Sequence, residues 1–308
     1  LMNAISIIKI KKKFDVIISP SVPLINSLTG LVLAKLTRAK FFFEIRDVWP
    51  DALVYNEIIS KFNPIYLILK FLELIIYKLC DGVISALPNT KRYVKFYNNK
   101  LPHLYLPNSY KPYPKYKKKF NNKLTRVVYI GRFNSNHDIE IILKAAQYLL
   151  KKKKYNIFFN LFGYGNKLEC IKKTIIKKKL SNIKLKGALN KSYIFSTLQK
   201  YDLALCTITS SKAFQWGSNL NKIYEYFNSS MPVIFSGNVP QNPVLKAKCG
   251  YQCKTHNHKI LAEQILKFSK LKINEKRKLS NNAKDFFDIE YNLDKQAKVL
   301  ENFLKSHN

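Results

Sequence analysis

The sequence has few glycines, few arginines and few acidic residues. Its 308 residues include nine glycines, and 19 Asp and Glu residues stand against 54 Lys and Arg residues, of which six are Arg. The lysines lie in short scattered runs, and they do not alternate with aromatic residues on one element, which argues against a nucleic-acid-binding protein. The formal net charge of +35 instead favours contact with an anionic membrane surface.

Two further shortages limit the class of protein. The five cysteines contain no C-x-x-C pair and are odd in number, which is typical of a chain in a reducing cytosol. The most apolar stretch, Ile65 to Leu79, carries Lys70, Glu73 and Lys78 and is too short to cross a bilayer. We therefore expect a cytoplasmic protein, and its 47% apolar residues can form the cores of two domains.

Short apolar segments alternate with longer helical patterns along the chain, which is typical of parallel α/β layers. The segment 111–124 is rich in Pro, Lys and Asn and has no periodicity, which predicts a linker. We predict two Rossmann-like domains that face a cleft, over 1–110 and 125–285. A C-terminal helix over 286–308 is expected to pack back on the first domain. In open parallel sheets, ligands bind beyond the carboxyl ends of the strands.

The segment GSNLNKIYEYFNSSMPVIFSG, from Gly217 to Gly237, contains the most informative pair of residues. It predicts a turn, a short amphipathic helix with Lys222 in its first turn, and a buried strand. A helix N-terminus and a lysine together favour an anion such as a phosphate. Glu225 follows one turn later, where a carboxylate accepts hydrogen bonds from neighbouring ribose hydroxyls. On spacing alone, an ordinary surface Lys–Glu pair is the alternative.

Two of the few arginines follow predicted strands, and both are candidate functional residues because arginine binds two oxygen atoms at once. Arg46 and Asp47 end the segment KFFFEIRD, where an ordinary ion pair is the alternative. Arg132 follows the strand RVVYIG. The segment FGYGNKLE then places Gly163 and Gly165 in a loop after another strand, although a plain turn would have the same pattern.

Together these motifs resemble family 4 of the glycosyltransferases. DVIISPSVPL with KFFFEIRDVWPDALV is similar to the branch that builds bacterial surface polysaccharides, O-antigen or capsule, in the manner of fucosamine transferases. YIGRFNSNHDIEIILKAA, FGYGNKLE and the lysine–glutamate segment resemble the family's donor-binding motifs. The resemblance implies the GT-B fold. It also implies that the first domain is truncated, because the chain begins with LMNAISIIKIKKK, a helix-like stub, and not with a strand and a glycine-rich turn.

The resemblance also implies residue roles. It assigns Arg132 and Lys222 to the donor diphosphate, Glu225 to the ribose, and Gly163 and Gly165 to the donor loop. Arg46 and Asp47 are then placed beside the reacting sugar. His137 stands where the family has a lysine, so weaker donor binding or a shifted pH optimum is expected.

The implied reaction moves a sugar from a nucleoside-diphosphate donor, UDP in our expectation, to a lipid-linked saccharide with retention of configuration. The sequence has no Asp-x-Asp, so we expect no metal and no other cofactor, with fixed cations stabilising the leaving group. Two alternatives stay open. One is a degenerate protein that binds nucleotide-sugars without turnover, and the other is a UDP-sugar epimerase.

The expected acceptor carries a polyprenyl group, which implies a peripheral position on the inner face of the plasma membrane. The helical stretches Ile65 to Leu79 and Lys91 to Tyr97 are basic and aromatic and are candidates for that contact. The alternative is that the first of them is a core helix, since helices that are apolar on all sides are usually buried.

Overall fold

The computed structural model describes residues 14–253 and 256–307, and the predicted stub over residues 1–13 lies outside them. The described chain forms two compact α/β units. One holds residues up to Ser109 together with Ser211–Asn219 and Leu293–Asn308, and the other holds Tyr110–Ser210 and Leu220–Asn292. No described helix is both long enough and apolar enough to span a membrane.

The first unit is built on a parallel sheet of four strands in the order β1-β2-β3-β4. Its helices cover a core in which Phe41, Phe43 and Val83 are buried. Along the chain the elements are β1 (Val16–Pro20), α1 (Leu24–Thr37), β2 (Lys40–Ile45), α2 (Asp51–Tyr55), α3 (Pro64–Leu79), β3 (Gly82–Ser85), α4 (Lys91–Tyr97), β4 (His103–Tyr105) and, from the C-terminus, α12 (Leu293–Lys305).

The second unit has a parallel sheet of six strands in the order β10-β9-β8-β5-β6-β7. This is the strand order of a dinucleotide-binding fold, in which the direction of winding reverses between β5 and β8 and ligands bind at that point. The elements are β5 (Thr125–Ile130), α5 (Ile139–Lys151), β6 (Ile157–Phe162), α6 (Leu168–Lys177), β7 (Ile183–Gly187), α7 (Ile194–Leu198), β8 (Leu203–Thr207), α8 (Asn221–Asn228), β9 (Val233–Ser236), α9 (Pro243–Lys246), β10 (Gly250–Cys253), α10 (His258–Lys270) and α11 (Ile273–Glu290).

Most predicted elements agree with the structure to within one or two residues, because their apolar periodicity matches the faces that they bury. The short elements α2, α9 and β10 are not predicted, since four or five residues show no period. The predicted C-terminal helix over 286–308 is divided, since residues up to Glu290 belong to α11 and Leu293–Lys305 form α12. In the first unit the Phe303 ring of α12 contacts the Phe42 ring edge-on at 5.7 Å between centroids.

The segment 111–124 contains no helix or strand, but it is held against the second unit. The Tyr113 backbone N–H donates to Asn228 Oδ1 at 2.7 Å. The Lys118 side chain is buried and its ammonium donates to the Leu198 carbonyl oxygen at 2.9 Å. These contacts order a segment whose composition is that of a flexible linker.

Helix α3 packs into the core only through its C-terminal half. Its buried positions are Glu73, Ile76 and Tyr77, all in its C-terminal half. Its N-terminal half exposes large apolar side chains, among them Ile65, Ile68 and Phe71. The core-helix alternative is therefore wrong for this half, because an apolar composition on all sides does not show which faces another element covers.

Candidate functional site

Lys222 is buried at the start of α8 and is only 7% exposed. Its ammonium donates to the Tyr129 hydroxyl at 2.8 Å and lies 4.3 Å from the centroid of the same ring. Lys222 forms no salt bridge with any described residue, and Glu225 is therefore not its ion-pair partner. The surface-pair alternative is therefore wrong, because the lysine is directed inward to β5 and its charge is not neutralised by a carboxylate.

Burial changes the pKa of this lysine. It lowers the pKa of Lys222 to about 8, although Cys206 and Glu225 act in the opposite direction. A buried ammonium with a single hydroxyl partner pays a desolvation cost that an anion in the site would offset. An anion bound next to this ammonium would therefore stabilise its charged form.

The glycine that follows β5 makes room for this lysine. A Cβ atom at Gly131 would lie 2.6 Å from Lys222 Nζ, closer than real Cβ atoms come to other heavy atoms, and 3.0 Å from Lys222 Cε, which is a tight contact. Gly163 plays a related part, since a Cβ there would overlap the Gly131 carbonyl oxygen. At Gly165 the same addition would overlap the carbonyl oxygen of Phe133. The two predicted loop glycines thus let the backbone after β6 pack closely on the loop after β5.

Arg132 and His137 lie in that same loop after β5. The Arg132 side chain is exposed, with its guanidinium 5.8 Å from the centroid of the Tyr164 ring. Burial, and after it the positive charges of Lys222 and Arg132, lower the pKa of His137 to about 4. This mutual influence shows that the three basic side chains are neighbours. It also shows that His137 is neutral near pH 7, so it does not supply the charge of a lysine.

Several buried polar atoms around these cations lack a partner. Within the described ranges, His137 Nδ1, Thr207 Oγ1 and Ser236 Oγ are buried and form no hydrogen bond. Thr207 ends β8 and Ser236 ends β9, so both lie at the carboxyl edge of the sheet near the reversal point. Unpaired buried polar atoms cost free energy unless a ligand satisfies them. Thr207, Ser236 and Tyr129 lie beside this candidate site and were not predicted from the sequence. Their position at or near strand ends is the signal that could have found them.

Glu225 lies one turn after Lys222 and is half-buried. Burial raises the pKa of its carboxyl group, whereas Lys191 and Lys222 act to lower it. Burial, and after it the Glu225 carboxylate, raise the pKa of Tyr110 to about 12. Glu225 therefore faces a neighbourhood of hydroxyls and a lysine, and its oxygens are available as acceptors.

Arg46 and Asp47 belong to the first unit, whereas the six donor-side candidates belong to the second. Arg46 pairs with Glu44 at 3.1 Å, and the described residues show no Arg46–Asp47 ion pair, which was the alternative interpretation of these two residues. The segment is held by Ser21, whose hydroxyl donates to the Asp47 carbonyl oxygen at 2.9 Å and accepts from the Arg46 N–H at 3.2 Å. Partial burial raises the pKa of the Asp47 carboxyl group, which favours the neutral acid more than in a free aspartate.

The described residues contain no group of three or more His, Cys, Asp or Glu side chains arranged to hold a metal ion. The positive side chains of this candidate site are Lys222 and Arg132. Fixed cations of this kind can stabilise a leaving group without reorganisation.

Solved structures with a similar fold include an O-GlcNAc transferase, a galactosyltransferase and a sucrose-phosphate synthase. A TarM mutant from S. aureus, crystallised with UDP, superposes with a TM-score of 0.72 at 18% identity, over 98% of this chain and 58% of TarM. Sucrose-phosphate synthase from Thermosynechococcus elongatus superposes with a TM-score of 0.75 at 14% identity, over 99% and 76% of the two chains. Anabaena HepE with UDP-glucose superposes with a TM-score of 0.70 at 12% identity, over 95% of this chain and 79% of the HepE chain. The chain thus spans little more than half the length of TarM. Among curated protein sequences, none matches this chain.

The two Rossmann-like parallel sheets define an α/β protein of the GT-B class. The family model described as glycosyl transferases group 1 matches residues 114–286, which is more than half of the chain. The chain belongs to this family.

Proposed function

We propose that the protein is a retaining glycosyltransferase that uses a UDP-sugar and a lipid-linked saccharide acceptor in surface-polysaccharide biosynthesis. The observation that carries this proposal is the Lys222 ammonium, buried and without a carboxylate partner beside Gly131 and Arg132. A diphosphate is the anion that fits a buried lysine, an exposed arginine and a helix N-terminus.

In this mechanism, Arg132 and Lys222 bind the diphosphate and stabilise the charge that develops as the sugar leaves. Glu225 accepts hydrogen bonds from the ribose, and Asp47 lies near the reacting sugar. The departing phosphate takes the proton of the acceptor hydroxyl, so no side chain acts as general base. We propose that neither a metal ion nor any other cofactor takes part. The UDP bound in TarM and the UDP-glucose bound in HepE support this choice of donor.

We place the protein at the cytoplasmic face of the membrane. Phe62 and Phe96 of the first unit are 90% and 87% exposed, and the N-terminal half of α3 adds Ile65, Ile68 and Phe71. Exposed apolar patches of this kind mark interaction surfaces. The net charge of +35 complements an anionic lipid surface, which supports a membrane as the partner.

Release of UDP from a panel of UDP-sugars tests the activity. We expect the wild-type protein to release UDP from at least one donor, and we expect Lys222→Ala to reduce that rate by more than tenfold. A protein that binds UDP tightly but releases none from any donor would instead be the degenerate binder, for which the neutral His137 is the favouring observation.

A further inference from the structure

A cavity of about 400 Å³ opens in the first unit, and none of the donor candidates lines it. Helices α2, α3 and α4 and the segment 211–219 all contribute to its walls. Aromatic rings form much of the lining, and four charged side chains, Asp51, Lys61, Lys70 and Arg92, contribute to the rest. The aromatic members are Tyr55, Tyr66, Tyr93, Phe96, Tyr97 and Trp216.

The floor of the cavity is a network of charged and hydroxyl groups around Lys70. Its ammonium bonds with the carboxylate of the fully buried Glu73 and lies 3.5 Å from Asp51. Tyr66 donates to one oxygen of Asp51 at 2.7 Å. The Tyr93 hydroxyl lies 3.2 Å from the other Asp51 oxygen but closer to Glu73 Oε1, at 2.6 Å, so its single proton is shared between the two carboxylates. These bonds orient the Asp51 carboxylate, which retains lone pairs for further donors.

This buried network is not expected to add much to the stability of the fold. Buried ion pairs are often no more stabilising than apolar residues of similar size, because both charges lose their hydration. Here two carboxylates surround a single ammonium, and burial raises the pKa of Glu73. Such an arrangement in a cavity wall points to a ligand as the reason for its presence.

Trp216 closes another side of the cavity and has an unused hydrogen-bond donor. Its indole N–H is buried and, among the described residues, has no partner. The ring stands edge-on to Tyr93 at 5.2 Å between centroids, and the Trp216 carbonyl oxygen accepts from the Asn89 N–H at 3.1 Å. The next residue, Gly217, packs so closely on Pro88 that a Cβ would lie 2.5 Å from the proline ring. The tryptophan is thus held in place before any ligand binds.

The remaining polar lining is basic. Lys61 and Arg92 both line the cavity, and neither forms a salt bridge in the described part of the chain. Aromatic faces suit the C–H faces of a sugar ring, an oriented carboxylate suits its hydroxyls, and unpaired cations suit a phosphate. The three features occur together in one cavity.

We propose that this cavity binds the phosphate-linked saccharide of the acceptor. Trp216 packs on the sugar ring, Asp51 accepts from its hydroxyls, and Lys61 and Arg92 bind the phosphate. This inference rests on the proposed function and specifies its acceptor site. Because Asp51 follows Asp47 by four residues, the acceptor pocket and the candidate reacting-sugar residue share one segment after β2.

Saturation-transfer NMR on the full chain with saturating UDP tests the proposal. The probes are the 1-phosphates of N-acetylglucosamine, glucose and galactose, each compared with its methyl glycoside. We expect at least one sugar phosphate to bind in the millimolar range and its methyl glycoside to bind at least threefold more weakly. Trp216→Ala, Asp51→Asn and Arg92→Gln should each weaken binding at least fivefold. Lys91→Gln, an exposed change on the same helix, should leave it within twofold.

The controls separate this inference from the proposed function. The UDP affinity of all four variants should stay within twofold of the wild-type value, and thermal unfolding shows that each is folded. Trp216→Phe, which keeps a ring but lacks the N–H, should give an intermediate loss. If the wild-type protein binds UDP but none of the sugar phosphates at 20 mM, or if the three pocket variants bind them normally, the pocket assignment is wrong. If UDP does not bind at all, the proposed donor fails, and loss of sugar-phosphate binding in the variants would still support the pocket.

Discussion

The side chain of Lys222 occupies the space that a Cβ atom at Gly131 would need, since the two would lie 2.6 Å apart. Gly131→Ala should therefore displace the ammonium from its place beside Tyr129. We expect the dissociation constant for UDP to rise by about tenfold, because a charge-assisted hydrogen bond contributes roughly 1.5–3 kcal/mol. Isothermal titration calorimetry measures this change.

Gly163→Ala is the matched comparison, because its Cβ would meet the backbone oxygen of Gly131 and not a flexible side-chain end. This variant should lose about 2–4 kcal/mol of unfolding free energy, by analogy with other overpacked sites. Gly131→Ala should lose markedly less. Equal destabilisation in the two variants would contradict the role assigned to Lys222 at this position.

Removal of the lysine itself gives the second prediction. Lys222→Ala should weaken UDP binding by about 10- to 100-fold, again from the loss of a charge-assisted hydrogen bond to phosphate. Lys172→Ala is the control, since Lys172 is an exposed lysine whose partner is Glu169 at 2.8 Å. Binding by the two variants that differs by less than threefold would show that Lys222 does not bind the donor.

The affinity for a UDP-sugar should depend on pH above neutrality. Burial lowers the pKa of Lys222 from its ordinary value to about 8, so the free protein loses this positive charge as the pH rises through that value. Affinity should fall between pH 7.5 and 9, approaching about tenfold per pH unit at the upper end, and binding there should take up a proton. From pH 5 to 7 His137 should contribute no pH dependence, because its pKa is about 4.

The control for this pH dependence is Lys222→Arg, whose guanidinium stays charged throughout the range. If this variant binds the donor, its affinity should not fall between pH 7.5 and 9. Calorimetry in buffers of different ionisation enthalpy measures the proton uptake directly. An unchanged slope in Lys222→Arg would assign the titration to another group.

The exposed apolar surface of the first unit gives the fourth prediction. Replacing Phe62, Ile68 and Phe71 together by serine should reduce co-sedimentation with vesicles that contain 30% anionic lipid. Burial of each side chain in the interface contributes about 1.5–3 kcal/mol, so a loss of at least tenfold is expected. Ile176→Ser, an exposed apolar position on α6, should change nothing. Equal binding by the triple variant and the wild-type protein would remove the argument for membrane contact.

Periodicity predicts the sheets, the main helices and the position of Lys222 after a turn. It does not predict that Lys222 is buried, because its partner Tyr129 lies 93 residues away in the chain. The same holds for Trp216, which joins the α2–α4 cavity from a distant segment. A pattern on one helix shows which residues share a face, but not what covers that face.

Two alternatives that the sequence left open differ from the structure for the same reason. Arg46 pairs with Glu44 and not with its neighbour Asp47, because alternate residues of a strand lie on one side. Helix α3 exposes Ile65, Ile68 and Phe71, which a core helix would bury. Neither outcome follows from residue type without knowledge of the surrounding elements.

A crystal structure of the protein with UDP tests the central claim most directly. The account predicts diphosphate oxygens within 3.5 Å of Lys222 Nζ and of the Arg132 guanidinium, with the ribose hydroxyls donating to the Glu225 carboxylate. Electron density for UDP at any other place in the molecule, with Lys222 still bonded only to Tyr129, would contradict it.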